Sequence, residues 1–113
     1  MADDCLFCRI IRREIPSPLV YESLNAVAFR DIDPQAPTHV LVVPRKHIAS
    51  LNEPADATLL GELLLAAAEV AKQEGIAESG YRTVINTNAN AGQAVFHIHV
   101  HVIGGRKMHW PPG

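Results

Sequence analysis

Residues 95–103 alternate apolar side chains with three histidines, His97, His99 and His101. Successive side chains of an extended strand point to opposite faces of a sheet, so this segment places all three imidazoles on one face. The opposite, apolar face carries Phe96, Ile98, Val100 and Val102. We therefore predict a strand over Ala94–Ile103 whose apolar face packs into the core and whose histidine face lines a functional site. A strand of this kind needs neighbouring strands, which restricts the chain to folds that contain a sheet.

Hydrophobic periodicity divides the rest of the chain into strands and two helices. Apolar residues at helical spacing predict a short helix over Phe7–Ile15, which ends at Pro16. The same pattern over Ala55–Glu74, followed by Gly75, predicts one long helix. The other predicted strands are Leu19–Glu22, Ala26–Asp31, Thr38–Pro44 and Tyr81–Asn86, and a loop is predicted over 87–93. Because most consecutive strands have no helix between them, we predict an α+β domain with a largely antiparallel sheet.

Length and composition predict one domain over residues 1–113. The chain is 48% hydrophobic and carries a formal net charge of -2, so it has material for a core but no broad cationic surface for nucleic acid. No stretch approaches the ~20 apolar residues that span a bilayer, so we expect no membrane partner. The acidic start, Met1–Asp4, is unlike a secretory signal, and we expect a cytoplasmic protein.

The histidine row permits three interpretations. It could be the solvated face of a surface strand, although such faces more usually carry Thr, Lys, Glu and Ser. It could be a metal centre, although His97 and His101 would lie about 13 Å apart on a straight strand, too far to share one ion without a sharp bend. Proton transfer and nucleophilic attack fit better, because an ordinary histidine titrates near ~6.5. His99, which has a histidine two positions away on either side, is the candidate nucleophile. Backbone N–H groups of residues 92–94 are candidates for binding a phosphate.

The segment His97–Ile103 matches the alternating signature of the histidine triad superfamily, so the chain resembles that superfamily. Further segments resemble its Hint branch, the histidine triad nucleotide-binding proteins, and extend the resemblance over nearly the whole chain. These segments are Asp31-Ile32, Pro34–His39, Pro44–Ile48, Gly92-Gln93 and Gly104–Gly113. The resemblance implies a homodimer of HIT-like α+β protomers, each with a five-stranded antiparallel sheet, one long helix and one short helix. It also implies that the tail, 104–113, contributes to the dimer and to the active site.

The same resemblance implies hydrolysis of purine nucleoside 5′-phosphoramidates, such as adenosine phosphoramidate and lysyl-adenylate. His99 would attack the α-phosphorus to give a nucleotidyl-histidine intermediate, which splits one difficult displacement into two steps. His101 would bond a phosphate oxygen, and His39 would help to orient the nucleophile and to move the leaving-group proton. The candidate catalytic set is His39, His97, His99 and His101.

A purine nucleotide site is also implied by the resemblance. Asp31 would accept hydrogen bonds from the ribose, and Trp110 would reach the leaving-group region of the neighbouring protomer. The candidate nucleotide-binding residues are Leu6, Phe7, Ile10, Phe29, Asp31, Ile32, Asn86, Gly92, Gln93, Ala94, His99, His101 and Trp110. Taken singly, the apolar members of this set fit an ordinary core equally well. Ala94 stands where the family often has serine, so one hydrogen bond worth ~1 kcal/mol is expected to be missing.

Cys5 and Cys8 form a C-x-x-C pair. Similarity to bacterial members of the family implies a structural zinc bound by Cys5, Cys8, His47 and His97, a closed two-Cys, two-His set. Two buried free thiols or a redox pair are the alternatives, and no organic cofactor is implied.

Two other functions stay open at the level of sequence. One is hydrolysis of dinucleoside polyphosphates, which other histidine triad branches perform with the same nucleophile; the Trp110–Gly113 ending favours the Hint branch instead. The other is a nucleotide-binding or zinc-stabilised interaction module with vestigial catalysis. The presence of all three triad histidines argues against that module.

Overall fold

A computed structural model describes residues 4–53 and 56–113. In chain order its elements are α1 (Leu6–Ile11), β1 (Leu19–Glu22), β2 (Ala26–Arg30), β3 (Thr38–Pro44), α2 (Ala57–Gln73), β4 (Tyr81–Val84), α3 (Asn88–Ala91) and β5 (Val100–Gly104). The five strands form one sheet in the order β1-β2-β3-β5-β4, and every neighbouring pair is antiparallel. The predicted α+β fold with a five-stranded antiparallel sheet is confirmed.

The last strand differs from its prediction. β5 begins at Val100 rather than Ala94, because the backbone N–H of Ile98 donates to the carbonyl of Ile48, a loop residue, at 2.7 Å. Ile98, Val100 and Val102 are buried in the core as predicted, whereas Phe96 is 51% exposed, so its placement in the core was wrong.

The helices also differ from their predictions. The predicted loop over 87–93 contains the four-residue helix α3, which makes three helices among the described residues. The first helix ends at Ile11 rather than Ile15, and the chain then turns through Arg13, whose φ is +62°. The start predicted for the long helix, Ala55, lies outside the described residues.

Local capping explains where α1 and α2 begin. Asp56 accepts a hydrogen bond from the N–H of Leu59 at 2.7 Å, which satisfies a donor in the first turn of α2. Cys5 does the same for α1, because its Sγ accepts from the N–H of Cys8 at 3.4 Å. None of the helices in residues 4–53 and 56–113 has both the length and the apolar character needed to cross a bilayer.

The two faces of the sheet carry different cores. One face packs against α2 through alternate strand residues, which include Val40, Val42, Val100 and Val102. The other face packs under α1 and includes Val27, Phe29, Leu41 and Val43. Because side chains alternate along a strand, His39 shares the α1 face with Leu41, and His101 lies directly opposite Leu41 on β5. The α1 face is therefore the face that carries the histidines.

Candidate active site

A cavity of about 250 Å³ opens between α1 and the histidine-bearing face of the sheet. Eleven of the predicted nucleotide-binding residues line it: Leu6, Phe7, Ile10, Phe29, Asp31, Ile32, Asn86, Gly92, Ala94, His99 and His101. Four further lining residues were missed by sequence reasoning: Ser17, Arg30, Leu41 and Val95. Leu41 was within reach, because it alternates with His39 along β3, but no pattern in the sequence marks Ser17.

Two predicted residues are placed elsewhere. The Gln93 side chain donates to the carbonyls of Ala49 and Val95, at 2.8 and 3.2 Å, and accepts from the N–H of Asn88 at 2.9 Å. Gln93 therefore connects the backbone of residues 88 and 95 to that of residue 49, and it does not line the cavity. Trp110 is 83% exposed and does not line the cavity.

His99 is held so that one ring nitrogen is free for chemistry. The residue is buried, and its Nδ1 lies 2.8 Å from the backbone carbonyl of His97. A carbonyl oxygen can only accept, so Nδ1 carries the proton and Nε2 keeps its lone pair. Burial lowers the pKa of His99, which favours the neutral imidazole. The cavity is thus lined by an uncharged imidazole with an unprotonated nitrogen, the form in which histidine is a nucleophile.

His39 and His101 form a directed hydrogen-bonded pair beside His99. The backbone N–H of Gln35 donates to His39 Nδ1 at 3.0 Å, so the ring proton of His39 is on Nε2. That Nε2 donates to His101 Nδ1 at 2.9 Å, which leaves the proton of His101 on its own Nε2. Burial lowers the pKa of His101 to about 4, so this group acts at neutral pH as an uncharged donor. The Asn86 amide lies 3.5 Å from that Nε2.

Phe7 connects α1 to the histidines. Its ring packs edge-on against His99, with centroids 5.0 Å apart, and against Phe29 at 5.3 Å. The same ring is 5.9 Å from the ring of His97. The wall of the cavity formed by α1 therefore contacts both the candidate nucleophile and the first histidine of the triad.

His97 belongs to a separate cluster with Cys5, Cys8 and His47, whose possible ligand atoms all lie within 4.8 Å of one another. The Nδ1 of His97 is 3.4 Å from Cys5 Sγ and 3.5 Å from Cys8 Sγ, and His47 Nδ1 is 3.4 Å from Cys8 Sγ. A tetrahedral zinc with ordinary bond lengths separates sulfur and nitrogen ligands by about 3.5 Å.

The protonation of His97 also suits a metal ligand. Its Nε2 donates to the carbonyl of Pro44 at 2.8 Å, so Nδ1 is unprotonated and faces the thiols. Burial lowers the pKa of His97 to about 4, which favours the neutral form that a metal requires. The four residues implied by the family resemblance therefore fit a metal ion, and His97 faces that cluster and is absent from the cavity lining.

Residues 12–108 match the family model described as HIT domain. The chain belongs to the HIT domain family. Among its HIT relatives, the purine nucleoside phosphoramidase of Escherichia coli K12 is 50% identical over 110 residues, which cover 96% of this chain and 92% of the relative. An uncharacterized HIT-like protein of Synechococcus elongatus is 53% identical over 115 aligned positions and 100% of both chains. A HIT family hydrolase from Legionella pneumophila has a TM-score of 0.94 at 53% identity, covering 97% of this chain and 100% of that one.

The HIT match includes the histidine pair and the candidate nucleophile but not the two cysteines. His39, His99 and His101 lie within residues 12–108, whereas Cys5 and Cys8 precede them. Helix α1, which contacts both the cavity and the thiol cluster, therefore precedes the matched residues.

Proposed function

We propose that this HIT protein hydrolyses purine nucleoside 5′-phosphoramidates. The observation that carries the proposal is the buried His99, which keeps an unprotonated Nε2 in a cavity lined mainly by apolar side chains together with Asp31, Asn86 and His101. The apolar side chains around Phe29 suit a purine ring, and the Asp31 carboxylate suits ribose hydroxyls. The naming of the Escherichia coli relative as a purine nucleoside phosphoramidase supports the same chemistry.

The proposed reaction proceeds in two displacements. The lone pair of His99 Nε2 forms a bond to the α-phosphorus while the P–N bond breaks. The leaving nitrogen keeps the electron pair of that bond and takes a proton from solvent, because His39 and His101 are neutral and each carries a single ring proton. Water then attacks the nucleotidyl-histidine, which releases the nucleoside monophosphate, restores neutral His99 and returns the proton. His101 Nε2–H stabilises a phosphate oxygen as charge develops on it.

We also propose that Cys5, Cys8, His47 and His97 hold a structural zinc. Zinc in a closed two-Cys, two-His set supplies no open coordination position, so it would cross-link α1 to the segment before β5. Cys5 caps α1 and Cys8 lies within it, and the same helix supplies Leu6, Phe7 and Ile10 to the cavity.

A second copy of the chain is proposed to cover the exposed tail. Trp110 in this tail is 83% exposed, and the family resemblance implies a homodimer to which the tail contributes. We expect a mass of twice 12.3 kDa by sedimentation, and a shift toward 12.3 kDa for Trp110→Ala if the tail contributes to the interface. A wild-type protein that sediments at 12.3 kDa at micromolar concentration would contradict the dimer.

Steady-state hydrolysis with two substrates tests the proposed activity. We expect AMP release from adenosine 5′-phosphoramidate with a kcat/KM at least about tenfold above that for diadenosine tetraphosphate. The zinc content of the sample is measured in parallel, so that loss of metal is not mistaken for absence of activity. The reverse preference would favour a dinucleoside polyphosphate hydrolase. AMP binding without turnover of either substrate would favour a binding module.

A further inference from the structure

Two segments that are remote from each other in sequence meet beside His39, the loop that contains Gln35 and the start of the tail. The Arg106 guanidinium donates from Nε to the carbonyl of Gln35 at 3.0 Å and from Nη1 to the carbonyl of Lys107 at 3.2 Å. Gly105 has a φ of +92°, and a Cβ at that position would lie only 3.0 Å from Pro37 Cβ. The start of the tail is therefore packed closely on the loop that contains Gln35.

Gln35 links this contact to the histidine pair. Its carbonyl accepts from Arg106, while its N–H donates to His39 Nδ1 at 3.0 Å. An acceptor at Nδ1 requires the proton of His39 to be on Nε2, from which it reaches His101 Nδ1 at 2.9 Å. His101 must then carry its own proton on Nε2. The two hydrogen bonds from Gln35 to His39 and from His39 to His101 therefore run in the same direction.

The carboxylate of Asp31 lies beside the same chain. Its Oδ2 is 3.4 Å from His39 Nε2, so it also favours a proton on that nitrogen. Asp31 is at the cavity, however, where a ribose would compete for its oxygens, whereas the Gln35 N–H contacts the opposite side of the His39 ring. The backbone donor is thus the contact that a bound nucleotide leaves in place.

We propose that Arg106 is a positioning residue for the HIT reaction. By holding the Gln35 carbonyl it fixes the Gln35 N–H on His39 and keeps His39 and His101 in the Nε2–H tautomers. His101 then presents a donor, rather than a lone pair, to the phosphate oxygen. The role in turnover rests on the proposed phosphoramidase function, but the effect on the tautomers does not.

The tautomers are measured by long-range ¹H–¹⁵N correlation of the histidine rings in zinc-loaded protein saturated with adenosine, whose ribose competes for Asp31 and which brings no phosphate to His101. In the wild type we expect His39 and His101 to be protonated at Nε2. In Arg106→Ala we expect a population with the proton on Nδ1 of His101, and a kcat about fivefold lower with KM changed less than twofold, the size expected for one lost hydrogen bond. Arg106→Lys, which keeps one donor, is expected to recover part of both effects.

Lys107→Ala is the matched control, because it removes a neighbouring tail cation and leaves the backbone carbonyl that Arg106 contacts. It is expected to behave as wild type. The proposal is overturned if Arg106→Ala keeps the wild-type tautomers, whatever its kcat, or if Lys107→Ala changes them equally. A wild-type protein without turnover would end the phosphoramidase proposal but leave the tautomer result to decide this one.

Discussion

Replacing His99 with alanine is expected to lower phosphoramidate turnover by about 10⁴-fold or more, as loss of a covalent nucleophile does in other hydrolases. The reason is that Nε2 of His99 forms the bond to phosphorus, and among the described residues that line the cavity no other imidazole is fixed by a backbone carbonyl in this way. The cavity wall around Phe29 and Asp31 is unchanged by the substitution. AMP affinity, measured by calorimetry, is therefore expected to stay within about tenfold of wild type.

His109→Ala is the control for this experiment. His109 is an exposed tail residue whose backbone carbonyl accepts a hydrogen bond from Arg82 and whose side chain does not line the cavity. Its substitution is expected to leave turnover unchanged. His99→Ala protein that is folded, loaded with zinc and still active within tenfold of wild type would exclude His99 as the nucleophile.

Replacing Cys8 with serine is expected to abolish zinc binding, lower the melting temperature by about 10 °C and weaken AMP binding about tenfold. Cys8 is buried, and its Sγ lies within 3.5 Å of ring nitrogens on both His47 and His97. A helix as short as α1, six residues, is not stable by itself and depends on its tertiary contacts. Releasing it loosens the Phe7 wall of the cavity, so metal and nucleotide affinities are expected to be coupled.

Zinc content by elemental analysis, thermal melting and AMP calorimetry check this prediction together. Wild-type protein stripped with a chelator should reproduce Cys8→Ser in all three measurements, and added zinc should restore the wild type but not the variant. Stoichiometric zinc in Cys8→Ser would contradict the assigned ligands. Metal-free wild type that keeps both its melting temperature and its AMP affinity would contradict the coupling.

Sequence patterns predicted the sheet well because its strands bury alternating or continuous apolar residues. The run from Val40 to Val43 is buried throughout, and Val100 and Val102 lie in the core as their spacing predicts. Residues 95–99 could not be predicted in the same way. Their path depends on the Ile98 hydrogen bond to Ile48, a contact across 50 positions that leaves no local signature.

The candidate site was predictable where it consists of residue types that are rare in the chain and occur in a recognisable motif. It was missed where it consists of common residue types. The HIT signature and the C-x-x-C pair pointed to His99 and to the thiol cluster, and the structure brings each of those groups together. Gln93 was predicted to line the phosphate side because of its place in a motif. In the structure its amide instead bonds three backbone groups of the surrounding loops, a contact that the sequence does not indicate. The role of Arg106 depends on a contact between the tail and the Gln35 loop, which only the folded chain reveals.

The most direct test of the central claim is to trap the covalent intermediate. Protein mixed with a stoichiometric amount of adenosine 5′-phosphoramidate is quenched within one turnover under conditions that preserve phosphorus–nitrogen bonds, then digested and analysed by mass spectrometry. We predict an adenylyl group on the peptide that contains His99, assigned by fragmentation to that residue and absent from His99→Ala. Rapid AMP release with no adenylated histidine at any quench time, or with the adenylyl group on another residue, would contradict the proposed mechanism.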